Sequence, residues 1–148
     1  MKKLTSILFV AGLILVSCAT SNRKFFANVE ETDDRTYGYT ANNPVTIKNA
    51  DLYYSINSSY YYLSRLRTEN GNRLQLIMRA SVNNPNYKES AIDLRNRYTD
   101  MPLSYGTGPL LDLYILKPVN ENDTIEIYIN PYLKGKIKVP YGLKFEKE

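Results

Sequence analysis

The sequence predicts a small α+β domain, a mainly antiparallel β-sheet packed by one short helix. Three observations carry that expectation. From Leu74 to Val82 apolar and polar side chains alternate, the signature of a strand with one face buried. Between Asn57 and Arg67 the residues Ser59, Tyr62, Leu63 and Leu66 recur at spacings of three and four, which aligns them on one side of a helix. Leu110–Leu116 and Ile125–Asn130 are two further strand-like runs joined by the polar loop Pro118–Asp123, as in a hairpin. Strands outnumber helices, and neither an internal repeat nor a βαβ rhythm is present, so antiparallel pairing is favoured.

Taken in order, the folded domain is expected to begin at Thr36. Asn42-Asn43-Pro44 makes a turn, because proline fixes its own φ and pushes the preceding residue to extended geometry. Val45-Thr46-Ile47 then supplies a short β-branched strand. Either Ser58 or Ser59 suits the N-cap of the helix, which ends at Glu69-Asn70-Gly71-Asn72, where Asn-Gly is a turn signal. In the long strand Leu74, Leu76, Met78, Ala80 and Val82 form the apolar face, and Asn83-Asn84-Pro85-Asn86 terminates it. Residues 88–105 fit a helical turn or a strand equally, and Pro102 and Gly106 to Pro109 mark loop. After the hairpin, Ile137-Lys138-Val139 is an edge strand, and Gly142-Leu143-Lys144-Phe145 adds a last extended piece.

Ahead of the domain, Met1-Lys2-Lys3 places two positive charges before an apolar run from Ile7 to Val16. A basic start and roughly 7–15 apolar residues are the parts of a secretory leader. Spanning a bilayer takes about 20 apolar residues, so the run reads as a removed address. It ends in Leu15-Val16-Ser17-Cys18, which holds the chain's one cysteine. That stretch resembles the lipobox of bacterial lipoproteins, in which a thiol receives a diacylglyceryl group as a thioether and becomes the first residue after cleavage. Buried acyl chains yield about 0.8 kcal/mol per methylene, and two suffice for stable anchoring. The expected organisation is a signal peptide over 1–17, a lipid-anchored tether over 18–35 and one domain over 36–148. Ala19-Thr20-Ser21-Asn22 follows the cysteine, without the aspartate that resembles an inner-membrane retention signal or the acidic cluster that resembles a surface-export signal. The expected location is therefore the outer membrane, facing the periplasm, with membrane lipid on Cys18 as the first partner.

Composition narrows the chemistry. Removing residues 1–17 from the 148 leaves 131, enough for one domain with a core. With Lys2 and Lys3 gone, the 19 basic residues fall to 17 against 15 acidic ones, and no basic run or nucleic-acid motif remains, so no nucleic-acid partner is expected. Histidine is absent, which removes the usual general base near neutral pH and the commonest transition-metal ligand. An acylated Cys18 leaves no thiolate and no disulfide, so neither a metal nor any other cofactor is expected. Gly106-Thr107-Gly108 lacks the third glycine of a dinucleotide fingerprint, and Asp112, Asn120, Asn122 and Asp123 lack the spacing of a calcium loop. Catalysis would fall to carboxylates such as Asp93, Asp100 or Asp112 acting as a pair on glycan, the alternative to a non-catalytic binding domain.

Thr36-Tyr37-Gly38-Tyr39-Thr40-Ala41-Asn42-Asn43-Pro44-Val45 resembles the TYGYTxxNPI opening of a family of small, largely uncharacterised Bacteroidota lipoproteins. Further similar segments are Tyr62-Leu63 with Leu66-Arg67 before Asn70-Gly71, Leu110 to Tyr114, Ile127 to Asn130, and Val139-Pro140-Tyr141-Gly142-Leu143, so the likeness runs over 36–143. The chain departs from the family pattern at Thr46-Ile47-Lys48, where relatives often carry VGG, and lacks their cysteines after the long strand. The resemblance implies a lipid-anchored envelope protein. Some members carry the label 2-dehydro-3-deoxyphosphooctonate aldolase; enzymes of that kind resemble (β/α)8 barrels of about 250 residues, which this chain is too short to build.

Within the motif, Tyr37 and Tyr39 are the expected exposed binding residues, with Asn43 and Pro44 beside them; a protein or a glycan of the envelope would be the ligand. They belong to a set of 14 tyrosines, many of which would otherwise serve the core and interstrand packing. Asp123-Thr124-Ile125 resembles the O-glycosylation site of Bacteroidota envelope proteins, and Thr124 falls where a hairpin loop exposes its hydroxyl.

Overall fold

The computed structural model describes residues 26–47, 55–88, 95–101 and 109–146. The expectations for the leader, for Cys18 and for Asp93 lie outside them. The described elements are β1 (Glu30–Glu31), β2 (Val45–Thr46), α1 (Ser55–Arg65), β3 (Leu66–Thr68), β4 (Leu74–Asn83), β5 (Leu110–Pro118), β6 (Ile125–Asn130), β7 (Lys138–Val139) and β8 (Leu143–Phe145). The fold is the expected small α+β class. β4, β5 and β6 form an antiparallel meander, and β2 joins β6 in parallel to give the order β2-β6-β5-β4. Two small ribbons complete it, parallel β1–β7 and antiparallel β3–β8.

The helix begins at Ser55 and gives way directly to β3 at Leu66, so Leu66 and Arg67, expected in the helix, belong to a strand. Its buried side carries Ser58, Ser59, Tyr62 and Leu63, the three-and-four spacing expected of an amphipathic helix. Leu66 stays fully buried by passing into the β3–β8 ribbon opposite Phe145. The Arg65 carbonyl, orphaned at the helix end, accepts the Glu146 N–H at 2.9 Å. Beyond β3, Gly71 closes the turn with φ +84°, its N–H donating to the Thr68 carbonyl at 2.9 Å.

The domain begins earlier than position 36. Phe26 and Val29 are buried in the main core with Tyr62, Leu63, Leu66, Tyr114, Ile127 and Ile129. Phe26 lies 5.1 Å from Tyr61, 6.0 Å from Tyr62 and 6.2 Å from Phe145, centroid to centroid. Residues 26–35 are therefore part of the fold and not tether. Two apolar side chains in a polar run, with β1 pairing in parallel to β7, hold the segment down.

The long strand departs from expectation in a way that shapes the site. Opposed residues of an antiparallel ladder project from the same face. Leu74 and Leu76 oppose Pro118 and Leu116, and then the register shifts between Leu76 and Met78. Beyond that bulge Arg79 opposes Tyr114 and Ser81 opposes Asp112, whereas Met78, Ala80 and Val82 oppose Ile115, Leu113 and Leu111 on the other face. One extra residue, Ile77, has reversed the parity of the strand. The apolar row is thus split between two faces. Because β4 is the outer strand of its sheet, Leu76, Ile77 and Met78 remain 40%, 54% and 48% exposed.

Candidate functional site

The motif from Thr36 to Val45 is a loop that satisfies itself. Asp34 Oδ1 accepts the Thr36 N–H at 2.9 Å and the Thr36 hydroxyl at 2.7 Å, while Asp34 Oδ2 accepts Asn43 Nδ2–H at 2.8 Å. The Thr36 bonds, and then the one from Asn43, hold the Asp34 carboxyl below its ordinary value. Gly38 donates its N–H to the Asn43 carbonyl at 2.8 Å, and its own carbonyl accepts the Tyr128 N–H of β6 at 2.7 Å. Those bonds stitch the loop onto the sheet.

Tyr37 and Tyr39 are not the exposed pair that the motif suggested. Tyr37 is 8% exposed and belongs to the core, where its hydroxyl oxygen accepts the Lys138 N–H at 3.1 Å. Tyr62 donates its hydroxyl to the Lys138 carbonyl at 2.7 Å, so two tyrosines pair both backbone groups of one β7 residue. Tyr39 is half-buried and donates to the Tyr141 carbonyl at 2.7 Å. Asn43 and Pro44 are half-buried as well, and Asn43 is engaged with Asp34 and Thr36. A residue flanked by loop signals was expected at the surface; here the tyrosine bodies fill the core and only their hydroxyls meet backbone. What the loop does present is Arg35, stacked 4.8 Å from the centre of the Tyr141 ring, which is 42% exposed.

Among the described residues, burial raises the hydroxyl pKa of Tyr37, Tyr39, Tyr62 and Tyr114, to about 12 at Tyr39 and Tyr114 and well above the ordinary 10 at Tyr62. The folded state holds these protons more tightly than the unfolded chain. Their contribution is therefore intact below the unfolded value of about 10 and is lost as pH rises through the folded values. The urea midpoint is expected to fall between pH 10 and 12, in step with tyrosinate absorbance, and Tyr114→Phe should flatten that fall. A midpoint constant across this range would contradict the burial of these hydroxyls.

A second cluster gathers side chains of α1, β4 and β5, and it exists because of the bulge. Asp112, 5% exposed on the core face of β5, accepts Arg79 Nη2–H at 2.8 Å and the Tyr114 hydroxyl at 3.3 Å. The guanidinium lies 6.0 Å from the Tyr114 ring centre, and the Tyr60 ring from α1 meets Tyr114 edge-on at 5.9 Å and 80°. Asp112's hydrogen bond makes Arg79 more firmly protonated, and the Asp112 charge adds to burial in pushing Tyr114 up. Asp112 was legible as a carboxylate in an apolar run, but Arg79 and Tyr60 were not: without the bulge Arg79 would point to the opposite face.

Of the carboxylates considered for catalysis, Asp112 is buried against Arg79, while Asp100 lies in an exposed turn 3.5 Å from Arg95. Their nearest charges are different arginines, and the described contacts do not join them into a pair. Thr124 is exposed in the β5–β6 loop. No family model matches the chain, and no curated protein or solved structure matches it.

Proposed function

We propose that the chain is a lipid-anchored envelope lipoprotein whose α+β domain faces the periplasm from the outer membrane and binds an envelope component without catalysing its conversion. The observation that carries this reading is Leu15-Val16-Ser17-Cys18 at the end of a short apolar run, the single thiol of the chain in the position where acylation requires one. The position of the domain supports it. Phe26 is eight positions after Cys18, and an extended chain covers at most about 3.6 Å per residue, so an anchored domain would begin within about 30 Å of the bilayer. Glycan hydrolysis by paired carboxylates is less favoured, since Asp112 spends its oxygens on Arg79 and Tyr114. The aldolase label fits poorly with a mainly antiparallel arrangement of strands.

Metabolic labelling with an alkynyl palmitate, followed by intact-mass measurement, tests the anchor. Wild-type protein should incorporate the label and lack residues 1–17, and Cys18→Ser should lose at least 90% of the label and keep its leader. Equal labelling of the serine variant, or an unlabelled wild-type chain with its leader removed, would overturn the proposal.

A further inference from the structure

We infer that Arg79 and Tyr60 form a recognition site for a sugar ring bearing a single carboxylate. Arg79 reaches the surface with one-third of its side chain exposed, yet it is fixed from beneath by a carboxylate only 7% exposed. Burying a carboxylate beside an arginine contributes little net stability, because desolvation offsets most of the attraction. What the arrangement does supply is position: a guanidinium held at one angle before a ligand arrives. Its hydrogen bond to Asp112 is the one it makes among the described residues, and the remaining N–H groups of the planar fork are left to solvent, in the geometry that matches a carboxylate.

Tyr60 supplies the second half. Its ring is 40% exposed, and its hydroxyl has no partner among the described residues. The Tyr60 ring and the Arg79 guanidinium both rest within about 6 Å of the centre of the same buried Tyr114 ring. A half-exposed tyrosine offers an amphipathic face with a polar end, suited to the C–H face of a pyranose and one of its hydroxyls. The ligand's charge follows from Asp112. Arg79 and Asp112 together are neutral, so a dianion would meet the Asp112 charge with only one cation to offset it, and a monoanion is preferred. Uronic acids have this chemistry.

That the sugar is an envelope component rests on the lipoprotein reading, although the site's chemistry stands without it. Calorimetric titration of the full chain in polyoxyethylene detergent micelles distinguishes the two. Glucuronate should bind saturably, and glucose, acetate and inorganic phosphate at least tenfold more weakly. Arg79→Lys, which keeps a charge against Asp112 and loses the fork, should weaken glucuronate at least tenfold. Tyr60→Ala, a change at the surface, should weaken it at least threefold with the thermal midpoint kept within a few degrees. No saturable response to glucuronate, or full affinity in Tyr60→Ala, overturns the site. Phosphate or acetate binding as tightly as glucuronate overturns the assignment of ligand. A failed titration with normal palmitate labelling refutes the site alone, and a positive titration of an unlabelled chain refutes the anchor alone.

Discussion

Replacing Tyr62 with alanine is expected to lower the unfolding free energy by about 3–5 kcal/mol, the range for losing a large buried aromatic side chain. Tyr62 has no exposed surface, and its ring lies 6.0 Å from Phe26 and 5.8 Å from Phe145, joining the helix to the first and last described segments. Alanine would remove that junction and open a cavity which three separate pieces of chain would have to close. It would also orphan the Lys138 carbonyl, which now receives the Tyr62 hydroxyl. Tyr62→Phe isolates this last contribution, at about 1–3 kcal/mol for an acceptor left unpaired in the interior. Urea unfolding followed by tyrosine fluorescence measures both. A loss under 1 kcal/mol for Tyr62→Ala would mean that the aromatic junction does not hold the segments together.

The helix and the β5–β6 hairpin were legible because each is a local pattern. Tyr62, Leu63 and Leu66 fall on one side of a 3.6-residue period, and the runs on either side of the Pro118–Asp123 loop are close enough in sequence to pair at once. Parallel pairing was not legible. Val45 opposite Ile129 and Glu30 opposite Lys138 join residues more than 80 positions apart, and Glu30-Glu31 has no strand preference of its own. Phe26 and Val29 were the available hint that residues 26–35 fold, since two apolar side chains three apart rarely stay in solvent when a core lies nearby.

The candidate sites show a different limit. The motif resemblance drew attention to Tyr37, Tyr39, Asn43 and Pro44, and the structure uses these residues to build a loop and fill the core. Arg79 drew none, because alternation along β4 assigns it to a solvated face. A bulge is a tertiary compromise between the two ladders it separates, and residue types alone do not announce it. Its effect is to exchange an apolar neighbour of Asp112 for a cation. Local apolar pattern and buried charge made opposite demands on β4, and beyond Ile77 the charge pair prevailed.

Gly38 is where the two motif segments meet, and Gly38→Ala is expected to cost about 2–5 kcal/mol. Its φ of +78° alone disfavours an L side chain by about 1–2 kcal/mol. A Cβ there would come 3.0 Å from Pro140 Cγ and 3.1 Å from Val45 Cγ2, tighter than carbon atoms normally approach. Neither neighbour yields easily, because Pro140 is a ring and Val45 is fully buried in the parallel pair with Ile129. Overpacking of this kind adds about 1–3 kcal/mol. Gly142 provides the control: its φ is +79°, but an added Cβ has nothing within 4 Å. Gly142→Ala should therefore show the backbone contribution alone, and the difference between the two variants in urea unfolding measures the contact between Thr36–Val45 and Val139–Leu143. If both lose the same stability, that contact is not tight, and the loop does not depend on Gly38 to seat against Pro140.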